Sequence, residues 1–338
     1  MFRESLQAII AKKDLTESEM SMMIEEIFSG GASNAQIGAF MAALAAKGET
    51  FEELAGAARV MRRRAARIQA PGTTVVDTCG TGGDGGGTFN ISTTTAFVVA
   101  GSGVTVAKHG NRSVSSRCGS ADLIEALGIN LNTPPDRVEE AVGQIGIGFL
   151  FAPLYHGAMR HAAAARKELG IRSIFNMLGP LTNPAGADCQ LLGVYAPQLT
   201  EMFAEALRLL GSRRVLVVHG HDGLDEISAC APTRVSELRD GLIRTYDITP
   251  ERFLGRRAAP AEVAGGDPAF NAALTRRILS GEPGGAREVV LLNAAAALMA
   301  AGRADTFESG LRLAAESIDS AAARGKLERL VAFTNENG

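Results

Sequence analysis

The stretch Val75-Val-Asp-Thr-Cys-Gly-Thr-Gly-Gly-Asp-Gly-Gly-Gly-Thr-Phe-Asn-Ile-Ser-Thr-Thr-Thr95 decides how the chain is read. Val75 and Val76 are β-branched and follow the turn pair Pro71-Gly72, which predicts a strand. Gly80, Gly82, Gly83, Gly85, Gly86 and Gly87 then crowd one short loop. Asn90 or Ser92 is placed to cap the apolar run 96–100, which predicts a helix. Missing Cβ atoms let a ligand touch backbone. Free N–H groups beside a helix N-terminus make an anion site, most often for phosphate.

Three phosphate loops compete for this outline. A Walker A loop ends in Gly-Lys-Ser/Thr, and this loop has no lysine. Gly80-x-Gly82-x-x-Gly85 matches a dinucleotide fingerprint, which wants an acidic residue about 20 positions on. The next strand, 104–107, ends instead in Lys108-His109, and a cation there suits phosphate rather than a ribose diol. The third is a loop for a phosphorylated sugar pyrophosphate, with the hydroxyls of Thr88, Ser92 and Thr93 and the amide of Asn90 joining the backbone donors. The flanking strand, helix and Lys108 speak against a plain glycine-rich surface turn.

The 338 residues suffice for about two domains and a sizeable core. A net charge of −3 advertises no nucleic-acid partner. Cys79, Cys118, Cys189 and Cys230 lie far apart with no zinc-type spacing, as expected of free thiols in a reducing cytosol. The start Met-Phe-Arg-Glu-Ser lacks a signal peptide's features, and no apolar run approaches the ~18 residues of a membrane span. A cytoplasmic enzyme or binding protein is expected.

Residues 1–70 read as all helix. Thr16-x-x-Glu19, Ser33-x-x-Gln36 and Thr50-x-x-Glu53 are three capping boxes, and Gly30 and Gly48 stop the first two helices. Arg59, Arg62, Arg63, Arg64 and Arg67 read either as a phosphate or nucleic-acid patch or, by preference, as a solvated last helical turn. From residue 73 strand and helix alternate, with candidate strands at 75–77, 104–107, 147–151, 191–195 and 214–219. That predicts an α/β domain with a mostly parallel sheet. Residues 235–238 and 242–247 form a hairpin added to it, and the chain from Asp267-Pro268 onward is helical.

Ligands gather at the carboxyl ends of parallel strands. Lys108-His-Gly-Asn-Arg-Ser-Val-Ser-Ser116 therefore faces the glycine loop, with Lys108, Ser113, Ser115 and Ser116 as phosphate-type donors and His109 and Asn111 fit for a second substrate. Gly119-Ser120 opens a further helix and a further anion-binding end. In His219-Gly-His-Asp-Gly-Leu-Asp-Glu226, the adjacent carboxylates Asp225 and Glu226 suit Mg²⁺, a general acid/base pair or a solvated turn. A pyrophosphate and the nearby Asp84 favour metal, while the histidine spacing does not suit zinc. Downstream, His156 and Arg166 are spaced to come near one helical face, and Arg166 is a natural bidentate partner for a carboxylate or else a snorkelling surface arginine.

Together these loops resemble the anthranilate phosphoribosyltransferase family. The match covers nearly the whole chain: residues 77–84, Thr88-Phe-Asn-Ile-Ser-Thr93, 108–116, 166–184 with Ile-Phe-Asn-Met-Leu-Gly-Pro-Leu-Thr-Asn, and Asp222-Gly-Leu-Asp-Glu226. The resemblance implies an α/β fold shared with pyrimidine nucleoside phosphorylases. It has a small helical N-terminal domain (1–70, joined by about 160–185), an α/β domain (73–338) with C-terminal helices, and a homodimer formed through the helical domain. It implies that Gly80, Gly83, Asp84, Thr88, Asn90, Ile91, Ser92, Thr93, Lys108 and Ser120 hold phosphoribosyl pyrophosphate. It implies that the loop Gly110, Asn111, Arg112, Ser113, Val114, Ser115 and Ser116 binds substrate with them. The resemblance further implies that Ser92, Asp225 and Glu226 bind Mg²⁺, two ions per subunit, and that Asn111 and Arg166 hold anthranilate, with His109 and His156 nearby. Gly157 and Ala164-Ala165 depart from the family's usual residues and touch the local helix geometry before Arg166.

The expected reaction moves the 5-phosphoribosyl group to the amine of anthranilate, with electrostatic stabilisation of departing pyrophosphate and no protein nucleophile. His109, Asn111 and Arg166 are the residues expected nearest the chemistry. A nucleoside phosphorylase on the same fold and a nucleic-acid-binding relative are the alternatives; neither nucleic acid nor membrane is the expected partner.

Overall fold

The computed structural model describes residues 2–70, 74–83, 87–113 and 117–336. Four helices open the chain: α1 (Phe2–Ile10), α2 (Glu17–Phe28), α3 (Asn34–Lys47) and α4 (Phe51–Arg64). Each of the last three starts on a formed capping box, where Thr16, Ser33 and Thr50 accept the N–H of the third helical residue. Gly30 (φ 79°) and Gly48 (φ 90°) take the left-handed turns that end α2 and α3. Met20, Ile24, Ile27, Phe40 and Leu44 are fully buried between the helices. Each such side chain stabilises the packing by about 1.5–3 kcal/mol.

The remaining chain builds one seven-stranded sheet in the order β3-β2-β1-β4-β5-β6-β7. The strands are β1 (Val75–Gly80), β2 (Thr105–Gly110), β3 (Ile147–Phe151), β4 (Cys189–Gly193), β5 (Arg214–Gly220), β6 (Thr233–Arg239) and β7 (Leu242–Ile248). The first five are parallel, and the β6–β7 hairpin is antiparallel. Helix α5 (Ile91–Gly101) links β1 to β2, and α6 (Ser120–Ala126) and α7 (Pro135–Ile145) link β2 to β3. Between β3 and β4 come α8 (Ala152–Tyr155), α9 (Arg160–Leu169) and α10 (Ile174–Met177), and α11 (Leu199–Leu209) precedes β5. The end of the chain is α12 (Pro250–Leu254), α13 (Pro268–Leu279), α14 (Gly285–Ala300), α15 (Phe307–Asp319) and α16 (Ala322–Asn335).

Period-two alternation divides the strand residues between two cores. Val76, Leu191, Leu216 and Val218 face α5 and the C-terminal helices, with the buried alanines of α14. Cys79, Leu192, Val215 and Val217 face α11 and the N-terminal helices. Ala162 and Ala165 of α9 and Phe175 of α10 belong to that second core. The Phe175 ring lies 6.1 Å from Phe28 and edge-on to Phe40 at 6.4 Å. The mid-chain segment thus packs on α2 and α3.

The arginine run differs from the solvated turn expected of it. Half-buried Arg62 donates to the carbonyls of Leu181 (2.7 Å) and Leu210 (3.3 Å). Arg59 pairs with Glu17 and donates to Leu209 O, and Arg64 pairs with Glu25. These cations fasten α4 to the rest of the chain.

Candidate functional site

The chain leaves β1 toward β2 on one side and later returns to β4 on the other, so the strand order reverses between β1 and β4. The carboxyl end of such a switch point is where open α/β sheets take ligands. Both strands end there in glycine, Gly80 opposite Gly193. A Cβ on Gly80 would lie 2.4 Å from Asp225 Oδ2, and one on Gly193 only 1.5 Å from the Asp225 carbonyl oxygen. The two absent side chains make a notch in which Asp225 seats. From there its Oδ2 accepts the Gly82 N–H at 2.8 Å, and Glu226 Oε1 accepts the Ser92 N–H at 3.0 Å. Fully buried Asn293 of α14 holds this turn from behind, accepting Ile227 N–H and donating to Ile227 O, both at 2.9 Å. Sequence reasoning did not single out Asn293, because its partner lies 66 residues away.

The glycine loop is pinned at both limbs. Thr81 N–H donates to Gly193 O (2.9 Å), and Thr81 Oγ1 accepts the Tyr195 N–H (3.1 Å). Arg172, on the segment before α10, stacks on the Tyr195 ring at 3.9 Å and donates to Gly83 O at 2.9 Å. A Cβ on Gly83 would meet that guanidinium at 2.2 Å. On the outgoing limb Thr88 bridges to Ala264, and Gly265 N–H donates to Gly87 O. Asp84 lies outside the described residues.

Asn90 stands at the N-cap of α5 without capping it; its Nδ2 donates to Cys118 O at 2.9 Å. Ile91 is buried, and Thr93 Oγ1 is buried with no partner among the described residues. Strand β2 runs three residues further than its apolar pattern suggests, through Lys108, His109 and Gly110. Lys108 and His109 stay in the ladder because buried groups receive them. Lys108 Nζ donates to Thr78 O and reaches Ser92 Oγ at 3.4 Å. Asp77 accepts the His109 N–H (3.1 Å) and the Asn183 Nδ2 (2.7 Å). Burial pushes the Asp77 carboxyl up, against the pull of Lys108.

His109 and His156 meet edge to face, with ring centroids 5.1 Å apart. Burial depresses both, His109 to about 3 and His156 to about 4, so both imidazoles are neutral near pH 7. His109 Nδ1 lies 3.1 Å from Gly179 O, an atom that only accepts, so the proton sits on Nδ1. That leaves the buried His109 Nε2 as an acceptor without a partner among the described residues. His156 precedes α9 with non-helical backbone (φ −111°, ψ 54°), so helical spacing does not relate it to Arg166, contrary to expectation. Gly157 opens a 3-10 turn between them, and Ala165 packs into the core.

Arg166 is half-buried beside Phe175, 5.8 Å from its ring, and its guanidinium makes no hydrogen bond or ion pair among the described residues. Asn111 binds Ser120 Oγ through its backbone N–H at 3.2 Å and accepts the Arg112 N–H on its side-chain oxygen. Arg112 itself is turned onto Asp122 and Glu125 of α6. At the N-terminus of α6, Asp122 accepts the N–H groups of Ser113 and of the N-cap Gly119. Val114, Ser115 and Ser116 lie outside the described residues.

His219 turns inward to Val194 O at 2.8 Å, and His221 turns toward Asp247, so the two imidazoles diverge. No group of three or more His, Cys, Asp or Glu able to hold a metal occurs among the described residues. A carboxylate pair beside a phosphate loop suits Mg²⁺, which keeps waters and shares substrate oxygens.

The chain matches two family models, "Glycosyl transferase family, helical bundle domain" over residues 3–65 and "Glycosyl transferase family, a/b domain" over residues 72–324. It is 71% identical to an anthranilate phosphoribosyltransferase of Syntrophobacter fumaroxidans and 66% identical to one of Desulfosudis oleivorans, over the full length of each. Among solved structures, the anthranilate phosphoribosyltransferase of Thermus thermophilus superposes with a TM-score of 0.92 at 45% identity, covering 97% of this chain and 98% of that one. The Saccharomyces cerevisiae enzyme in complex with PRPP and Mg superposes at 0.89 and 28% identity, covering 99% of each chain. The same yeast enzyme with 4-fluoroanthranilate superposes at 0.87 and 27% identity, again over 99% of each.

Proposed function

The chain belongs to the anthranilate phosphoribosyltransferase family, and from that premise we propose how its cleft performs the reaction. The enzyme transfers the 5-phosphoribosyl group of phosphoribosyl pyrophosphate to the amine of anthranilate, giving N-(5-phosphoribosyl)anthranilate and pyrophosphate, a step of tryptophan biosynthesis. The observation that carries the site assignment is the seating of Asp225 and Glu226 against the N–H groups of Gly82 and Ser92 at the strand-order reversal.

Phosphoribosyl pyrophosphate lies along the glycine loop, bound by Gly80, Gly83, Asp84, Thr88, Asn90, Ile91, Ser92 and Thr93. Lys108 lies beneath, and Ser120 and the 110–116 loop lie beside it. Ser92, Asp225 and Glu226 would hold Mg²⁺, proposed as two ions per subunit, which would supply neutralising charge to the diphosphate. The Lys108 ammonium, bonded to Thr78 O under the loop, adds its field there. Backbone donors gain strength as negative charge grows on the departing oxygens.

Anthranilate lies toward the neutral histidine pair. Its amine is a weak nucleophile because its lone pair is shared with the ring, so the sugar C1–O bond is largely broken before the amine attacks. His109 Nε2 accepts an amine N–H and orients the nitrogen. With its pKa held near 3, His109 orients this amine rather than storing its proton, which passes to the departing pyrophosphate or to water as the C–N bond forms. Arg166, whose guanidinium has no hydrogen-bond or ion-pair partner among the described residues, takes the carboxylate, and Asn111 fixes the ring's other edge.

We also propose the division into 1–70 with about 160–185, and 73–338. Exposed Ile10 (61%) and Leu169 (37%) on the helical part support a homodimer formed there, which sedimentation would test. No helix among the described residues is long and apolar enough to cross a membrane; a cytoplasmic location is proposed from the biosynthetic role of the family. Mixing protein, Mg²⁺, phosphoribosyl pyrophosphate and anthranilate should extinguish anthranilate fluorescence. Turnover of thymidine and phosphate with no loss of that fluorescence would overturn the assignment.

A further inference from the structure

Asn271, on the first turn of α13, is 1% exposed and lies 181 residues from Asn90, yet the two side chains are bonded. The Gly266 N–H donates to Asn271 Oδ1 at 2.8 Å. A backbone N–H cannot accept, so the Asn271 amide has one orientation. Its Nδ2 then faces Asn90 Oδ1 at 3.0 Å. On the other side Asn90 Nδ2 donates to Cys118 O at 2.9 Å, and a carbonyl cannot donate. Asn90 is therefore oriented from both ends by groups that cannot exchange roles. One Nδ2 hydrogen is used on Cys118, and the second has no partner among the described residues. The approach depends on missing side chains: a Cβ on Gly265 would lie 2.4 Å from Thr88 O, and one on Gly266 2.9 Å from the Phe270 ring.

We infer that Asn271 is a positioning residue for the transfer reaction: it locks the Asn90 amide so that an N–H, and not a lone pair, is presented to the diphosphate. This rests on the glycine loop being the diphosphate site. A flipped Asn90 would set its carbonyl oxygen against the substrate's oxygens, turning a donor into a repulsive acceptor. The role of Asn271 is not legible in sequence, because Asn90, 181 residues away, is brought to it by the fold.

The test compares Asn271→Asp, Asn271→Ala and Ser92→Ala at pH 8.5. Asn271→Asp keeps the shape and the Gly266 bond but sets an acceptor against Asn90 Oδ1. Both Asn271 variants should raise the KM for phosphoribosyl pyrophosphate and the inhibition constant of inorganic pyrophosphate about tenfold or more, as a bond to a charged group is lost. The anthranilate KM should hold. If Ser92→Ala leaves the pyrophosphate-substrate KM unchanged, the loop assignment itself falls. If Ser92→Ala raises it and the Asn271 variants do not, or if they raise both substrates' KM equally, this inference alone is overturned. Should the variants not fold, asparagine-labelled wild type decides by NMR. On adding inorganic pyrophosphate and Mg²⁺, one Asn90 side-chain proton should shift while the one on Cys118 holds. Two shifted protons, or none, overturn the inference.

Discussion

Replacing Gly80 by alanine separates the site's chemistry from the fold's stability. Gly80 is absent from the positive-φ glycines, so alanine meets no backbone strain there. The new Cβ would lie 2.4 Å from Asp225 Oδ2, closer than real Cβ contacts come, so the carboxylate must retreat by more than half an ångström. That retreat breaks the 2.8 Å bond from Gly82 N–H. A hydrogen bond to a charged group is worth about 1.5–3 kcal/mol, roughly 10–150-fold. The net change in stability should be about 0–2.6 kcal/mol. Overpacking costs about 1–3 kcal/mol, while alanine in place of glycine returns about 0.4–1 kcal/mol through the unfolded chain. The expected result is a fall in kcat/KM for phosphoribosyl pyrophosphate of about 10–100-fold and a higher Mg²⁺ requirement, with Tm lowered by a few degrees. Steady-state fluorescence kinetics, a Mg²⁺ titration and calorimetry read the three quantities. Wild-type kcat/KM together with an unshifted Mg²⁺ titration would refute the role given to the notch.

Arg166→Ala should raise the anthranilate KM by about 10–150-fold, the loss of a charged hydrogen bond, and leave the other substrate's KM alone; an unmoved anthranilate KM removes Arg166 from that role. Asp225→Asn should shift the Mg²⁺ titration upward, and overlaying titrations would contradict the metal assignment. Arg172→Ala should raise the phosphoribosyl pyrophosphate KM several-fold by freeing Gly83. Arg172→Lys should recover only part, because an ammonium cannot stack on Tyr195 and bond Gly83 in one planar fork; full recovery in the lysine variant speaks against this geometry. His109 and His156 titrate at about 3 and 4, below the ordinary histidine range near 6.5. The unfolded chain therefore binds more protons across that window, and stability is lost as pH falls below about 6.5, by at most ~1.4 kcal/mol per pH unit per histidine. Urea melts from pH 7 to 4.5 should show this slope, flattened in His109→Gln. Equal slopes in the two proteins would count against the buried neutral pair.

Local signals carried most of the fold. The capping boxes at Thr16, Ser33 and Thr50 need only residues three apart, and all three formed. The Arg239-Asp-Gly241 hairpin and the Pro268 helix start were equally local. The strand and helix expected around Gly80 formed, and the strand order puts the loop between them at the carboxyl end of the reversal between β1 and β4. What escaped was non-local. Strand β2 continues through Lys108 and His109 because Asp77 and Thr78 of the neighbouring strand receive them, and no alternation in the sequence records that. The arginine run looked like a solvated turn, yet Arg59, Arg62 and Arg64 reach carbonyls and carboxylates 36 to 150 residues away. Arg172, Asn271 and Asn293 look unremarkable in sequence and become supports of the site only when the chain folds back on itself.

The central claim is that the notch at Gly80 and Gly193, closed by Asp225, faces the diphosphate of phosphoribosyl pyrophosphate. A crystal soaked with that substrate and Mg²⁺ tests it most directly. The diphosphate should appear against residues 80–83 and Ser92, with metal density between it and the carboxylates of Asp225 and Glu226. A diphosphate bound elsewhere, with this cleft left to solvent, would contradict the account.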